Sequence, residues 1–232
     1  MLTNTYILKI ESCVKLIEVF KFSSGSIYKK YQDQKFSESN ILKKDLFSSI
    51  INKKISDNHL QYLESKCEGL SHHMDRRKPY EYAVDLILGW LAEDALLNFL
   101  QENNIKSALE GNDRFREFLT ARKISTQPDI KIFSQSGDVR LLEFMCDWKD
   151  TWNTKGHLDL RDNKYIKLEN EKAIFLGVSP LSLNGFVIDF MEEQQDWIRR
   201  YNPAYGKQVY TYEKIKQKMR PLKDTLVLLN KI

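Results

Sequence analysis

Between Gln127 and Trp148 the chain reads QPDIKIFSQSGDVRLLEFMCDW. Two runs rich in Ile, Val, Leu and Phe flank a short polar segment containing glycine, the pattern of two β-strands joined by a turn. Each run also carries a carboxylate, Asp129 and Glu143. Along a strand alternate residues share a face, so Asp129 and Lys131 point one way while Ile130 and Ile132 point the other, and Glu143, Met145 and Asp147 form a matching set. Pairing about SQSGD brings Asp129 and Glu143 to one side, near the end of a sheet. Two carboxylates held together raise each other's pKa unless a divalent cation lies between them, and hard oxygen ligands suit magnesium, or manganese in its place.

The hairpin sits in a longer order of elements. Upstream, YEYAVDLILGWLAEDALLNFLQENN follows Pro79 with Leu86, Trp90, Leu97 and Leu100 on one helical stripe. Glu93 lies on that stripe, and a carboxylate on a buried face needs a cation, a metal or good donors. A structural salt bridge is the plain reading; a metal is the functional one. The N-terminal MLTNTYILKIESCVKLIEVFKF reads as an amphipathic helix, the segments ILKKDLFSSIINKKI and DNHLQYLESKCEGL as further helices, and RFREFLTARK as a strand or a short helix. Downstream, HLDLRDNKYIKLENE reads as a turn and a helix, KAIFLGVSP as a buried strand, and LNGFVIDFMEEQQDWIRRYNP as a helix or a strand passing into one. The expected fold is α/β (α+β), a mixed central β-sheet flanked by helices. It is expected as one domain over 1–232, with a helical region at 1–78, a core at 79–180 and a C-terminal helical region at 181–232.

Composition narrows the class. With 232 residues, 42% hydrophobic, 29% charged and only 9 Gly and 5 Pro, the chain is neither disordered nor fibrous. A net charge of +4 from 36 basic and 32 acidic residues does not by itself imply a polyanionic partner. The three cysteines, Cys13, Cys67 and Cys146, lack both pairing parity and zinc-ligand spacing, which favours a reducing cytoplasm. Lys9, Glu11, Lys15 and Glu18 interrupt the N-terminal apolar pattern, so no signal peptide or membrane span is expected. No phosphate-binding loop, dinucleotide fingerprint or nucleophile elbow occurs.

Pro128-Asp129 and Glu143, fourteen residues apart, resemble the motif of the PD-(D/E)xK nuclease superfamily, which includes most type II restriction endonucleases. That resemblance covers about Tyr80 to Pro180. It implies a core of a helix, a meander of strands, a helix and a further strand, with Asp129 and Glu143 as catalytic metal ligands and Glu93, on the first helix, as a third. It further implies magnesium-dependent hydrolysis of phosphodiester bonds in double-stranded DNA by a homodimer. The chain departs from the motif where the lysine should stand, two residues after the second acid: Met145 is there and carries no charge. Some branches of the superfamily supply the lysine from the following helix, which points to Lys164 in LRDNKY, ahead of Lys131 and Lys149. In a second frame, DIK is itself the acid-x-lysine pair, with Asp129 and Lys131.

Such an enzyme also needs cations against phosphates. The candidates are Arg76, Arg77 and Lys78 in HHMDRRK, and Lys214, Lys216, Lys218 and Arg220 in the tail; solvated surface is the plain reading of both. The rival functions are a repair or junction nuclease on the same core, a catalytically inactive DNA-binding protein, and a helical interaction protein whose acids are incidental.

Overall fold

The computed structural model describes residues 3–21, 49, 56–58, 60–61, 79–110, 127–133, 138–203 and 206–229. The chain divides into two compact units; the described residues of the first lie within Met1–Phe99, and those of the second within Leu100–Arg114 and Ser125–Ile232. The expected helices between 41 and 69, and RFREFLTARK, fall mostly or wholly outside the described residues. Among the described residues no helix is long and apolar enough to cross a membrane.

In the first unit, α1 (Asn4–Val19) buries Tyr6, Lys9, Ile10, Cys13, Leu16 and Ile17, the three-and-four spacing of one helix face. It runs in the same direction as α2 (Pro79–Glu102): Lys9 Nζ meets Asp85 at 2.6 Å, Cys13 Sγ approaches the Leu88 carbonyl at 3.7 Å, and the rings of Phe20 and Phe99 lie 5.9 Å apart. Asp85 is what lets Lys9 stand on the buried face. The stripe expected on α2 is not a stripe. Ala83, Val84, Ile87, Leu88, Leu91, Ala92, Ala95 and Leu96 are all buried, whereas Leu86 is half-buried. A helix apolar around most of its circumference is a buried helix, not a surface one.

The second unit holds two sheets. The larger has strand order β1 (Lys106–Leu109), β2 (Ile130–Phe133), β3 (Val139–Cys146), β5 (Ile174–Ser179), β6 (Asn184–Asp189) and β9 (Arg220–Pro221). It is mixed: β3 and β5 are parallel and the other neighbours antiparallel. The connection between those parallel strands carries α3 (Thr151–Lys155), β4 (Leu158–Arg161) and α4 (Asp162–Asn170). The second sheet is antiparallel, with β4 beside β8 (Lys207–Tyr212) and β8 beside β7 (Trp197–Asn202). Two short helices, α5 (Ile215–Lys218) and α6 (Leu222–Leu229), follow β8 and β9.

A mixed central sheet with flanking helices agrees with the expected fold class. Three segments differ. LDLR is a strand, because Leu158 and Leu160 alternate into the core at 2% exposure each. The segment at 184–202, read as a helix or as a strand passing into one, is two strands, β6 and β7, separated by a turn and a single 3-10 turn at Gln194–Asp196. The C-terminal region expected to be helical is in large part strand. In each case backbone pairing outweighs the local reading: β6 and β7 each join a neighbouring strand across a short turn, and β4 joins the distant β8.

Apolar side chains from both sheets, α3, α4 and α5 meet in one cluster that includes Trp152, Tyr165, Phe175, Phe186, Trp197 and Tyr212. The Phe186 ring packs edge-on to Trp152 at 5.1 Å and stacks with Phe175 at 5.9 Å. It also covers Gly177, its ladder partner, so closely that a Cβ there would stand 2.3 Å from Phe186 Cζ. Gly177→Ala is therefore expected to destabilise the fold by about 1–3 kcal/mol, the usual scale of overpacking, measured as a lower midpoint in urea unfolding. An unchanged midpoint would mean that the aromatic cluster is loosely packed.

Candidate active site

The register of β2 on β3, Ile130 opposite Leu142 and Lys131 opposite Leu141, sets Asp129 across from Glu143 one step further along. Asp129 is tied there: its Oδ2 accepts the backbone N–H of Phe144 at 3.0 Å. Its own carbonyl accepts the N–H of Glu110 at 2.7 Å. By strand alternation Glu110, Asp129 and Glu143 form a row across three neighbouring strands on one face. Glu110 belongs to this row through pairing alone, and no spacing in the sequence points to it.

Glu143 is 4% exposed. An ionised carboxylate that buried requires a cation, and α4 supplies it: Lys164 Nζ stands 2.5 Å from Glu143 Oε2. The contact is an ion pair, without the angles of a hydrogen bond. Lys164 is in the first turn of α4, directly after β4, so the crossover from β3 to β5 delivers a lysine to the acid on β3. The other two candidate lysines are placed differently. Lys131 pairs with Glu110 at 3.0 Å, and Lys149 is exposed. Met145 shares the face of Glu143 and packs against the aromatic cluster, which gives its apolar side chain a structural role at the position where the sequence resemblance leads one to expect a cation.

Asp147, on the same strand face in the sequence reading, has a structural role. Its carboxylate accepts from Lys149 N, Thr151 Oγ1 and Trp152 N at 3.2, 2.7 and 2.7 Å, closing the turn that opens α3. Glu93 is buried at 7% on α2 in the first unit, as is its neighbour Asp94 at 2%. Among the described residues no three His, Cys, Asp or Glu side chains are grouped to hold a metal ion. Magnesium is commonly taken by one or two carboxylates, with water and substrate phosphate completing its shell, so the donor set of Asp129 and Glu143 fits the cation in kind and number.

Of the basic candidates, Arg76, Arg77 and Lys78 lie outside the described residues. In the tail, Lys214 pairs with Asp196 at 2.5 Å and Lys218 with Glu193 at 2.7 Å. Arg220 bonds the Lys218 carbonyl and the stem of Lys216 lies across Gly156; both side chains are exposed. Local acids thus balance two of the four charges. Comparison with protein-family models, with curated proteins and with solved structures finds no match to this chain.

Proposed function

We propose that this chain is a magnesium-dependent endonuclease that hydrolyses phosphodiester bonds of double-stranded DNA in the manner of a type II restriction enzyme. The observation that carries the reading is the ammonium of Lys164 against Glu143, at the acid that the sequence resemblance singles out and from the helix that follows its strand. The element order adds support: α2 precedes the antiparallel strands β1, β2 and β3, and α3, β4 and α4 then lead to β5, which is parallel to β3; apart from α3 and β4 this is the kind of order that the resemblance implies.

A divalent cation held by Asp129 and Glu143 would supply charge neutralisation at the scissile phosphate and a lowered pKa for the attacking water. The chain's own residues do the rest. Asp129 is oriented by the Phe144 N–H, which fixes the position of one of its oxygens. Lys164 holds a donor beside Glu143, placed to orient the attacking water and to offset charge that grows on the phosphoryl oxygens. No covalent enzyme intermediate is needed.

The test is incubation of the purified protein with phage DNA and magnesium. Discrete fragments support site-specific cleavage, a smear supports a general repair-type nuclease, and intact DNA in magnesium and in manganese rejects catalysis in favour of a binding role. In the proposed reading the enzyme is a cytoplasmic homodimer, because a twofold protein matches a palindromic duplex. Sedimentation should then give twice the 27.4 kDa chain mass, and a monomer at micromolar concentration with DNA present would remove the symmetric model. Binding in calcium is expected to weaken steeply with salt as phosphate contacts release counterions. A slope near zero in a plot of log K against log salt would exclude the basic residues from recognition.

A further inference from the structure

We infer that Arg199, on β7, is a positioning residue that sets the place of Lys164 by tethering the first turn of α4; this rests on the endonuclease reading for its catalytic meaning. The helix is short, nine residues, and Arg161 at its N-cap makes no side-chain capping bond. Its first turn, where Lys164 stands, therefore lacks the usual means of holding a helix start. Arg199 supplies another. Its Nη2 donates to Asp162 Oδ2 at 2.6 Å, two residues before Lys164. Its guanidinium also lies 5.9 Å from the centre of the Tyr210 ring, its ladder partner on β8, and Tyr210 stacks on Tyr165 at 3.7 Å and 7°. The tether thus grips both sides of Lys164, directly at Asp162 and through Tyr210 at Tyr165. Tyr165 is held in turn by its hydroxyl, which donates to Glu169 at 2.7 Å.

A tether of this kind is separable from global stability. The Arg199 side chain is 57% exposed and that of Asp162 31%, and exposed ion pairs contribute little to folding. Misplacing a catalytic group by about an ångström, by contrast, lowers a rate on the order of ten- to a hundredfold. Arg199→Ala and Asp162→Asn should accordingly share one signature, a large effect at Lys164 with a small effect on melting.

The experiment is pulse acetylation of the full-length chain with peptide mass spectrometry, with exposed Lys149 as internal reference, alongside single-turnover cleavage and thermal melting. In the wild type Lys164 should be acetylated more slowly than Lys149. Arg199→Ala and Asp162→Asn should each raise the Lys164 rate several-fold relative to Lys149, the double variant should do no more than either, and Arg199→Lys should recover part of the protection. Cleavage should fall in parallel in both variants, and Asp162→Asn excludes a loss of DNA-binding charge as the cause. Unchanged Lys164 acetylation in both variants overturns the inference, as does acceleration at every lysine together with a large fall in melting temperature. A wild-type chain that cuts no DNA while Lys164 still responds to Arg199→Ala rejects the endonuclease reading alone and leaves the tether standing.

Discussion

Asp129→Asn and Glu143→Gln are each expected to lower single-turnover cleavage of duplex DNA in magnesium by on the order of a hundred- to a thousandfold or more, the scale seen when a preorganised electrostatic group is removed. Each change takes one negative charge from the proposed cation site at nearly constant volume. The fold should survive both. In Asp129→Asn the new amide keeps a carbonyl oxygen for the Phe144 N–H that Asp129 now accepts at 3.0 Å, and in Glu143→Gln the new amide keeps an oxygen toward Lys164. Thermal melting and far-ultraviolet dichroism check that point, and binding to DNA in calcium should persist. Glu93→Gln, in the first unit, should have a smaller effect. Near wild-type cleavage by either the Asp129→Asn or the Glu143→Gln protein would show that the acid pair is wrongly assigned.

Lys164→Ala is expected to reduce the single-turnover rate by about a hundredfold or more, as for a positioned acid–base or electrostatic group, with little loss of DNA affinity. Lys131→Ala and Lys149→Ala should do much less, since Glu110 holds the first and the second is exposed. Removing Lys164 also takes away the cation that faces the Glu143 carboxylate, whose side chain is 5% exposed. Losing one partner of a buried charge costs up to about 3–5 kcal/mol, and the part-exposure of Lys164 at 18% places this case at or below the low end. Melting in metal-free buffer should thus drop, and added magnesium should recover part of the loss, which separates a missing catalytic group from a misfolded chain. Met145→Lys in that background should restore a fraction of the rate. The fraction stays small because residue 145 packs against the aromatic cluster, and a lysine stem there must run along apolar surface before its ammonium reaches the acid. If Lys131→Ala is the inactive protein instead, the acid-x-lysine pair is DIK and Glu143 loses its role.

Much of the candidate site was readable before any tertiary contact. Asp129 and Glu143 stand out because each interrupts a strand pattern, and strand alternation with a hairpin places them on one face without reference to the rest of the chain. Lys164 was harder. Its choice over Lys131 and Lys149 rests on the resemblance, through its place in the helix after the second acid, and the ion pair with Glu143 is a property of where that helix crosses the sheet. Glu110 was not found at all. It joins the row only through the pairing of β1 with β2, and nothing in its neighbourhood in the sequence marks it.

By itself, then, the sequence determined those elements whose signal is local and strong. These are α1 with its three-and-four spacing, the long α2 after Pro79, the β2-β3 hairpin around its polar turn, and the unbroken apolar run of β5. Each is long enough, or regular enough, for period and length to agree. Tertiary structure decided the rest: that α2 is buried around most of its surface, that LDLR and the segments at 184–189 and 197–202 are strands, and that a second sheet exists to carry Arg199 up to α4. Strands of four to six residues bury too little on their own to declare themselves, and they become strands only when a partner completes the backbone ladder, a neighbour across a short turn for β6 and β7 and a distant segment for β4. That nonlocal pairing also places the lysine at the acid, because β4 and β8 hold the start of α4 where its first turn reaches Glu143.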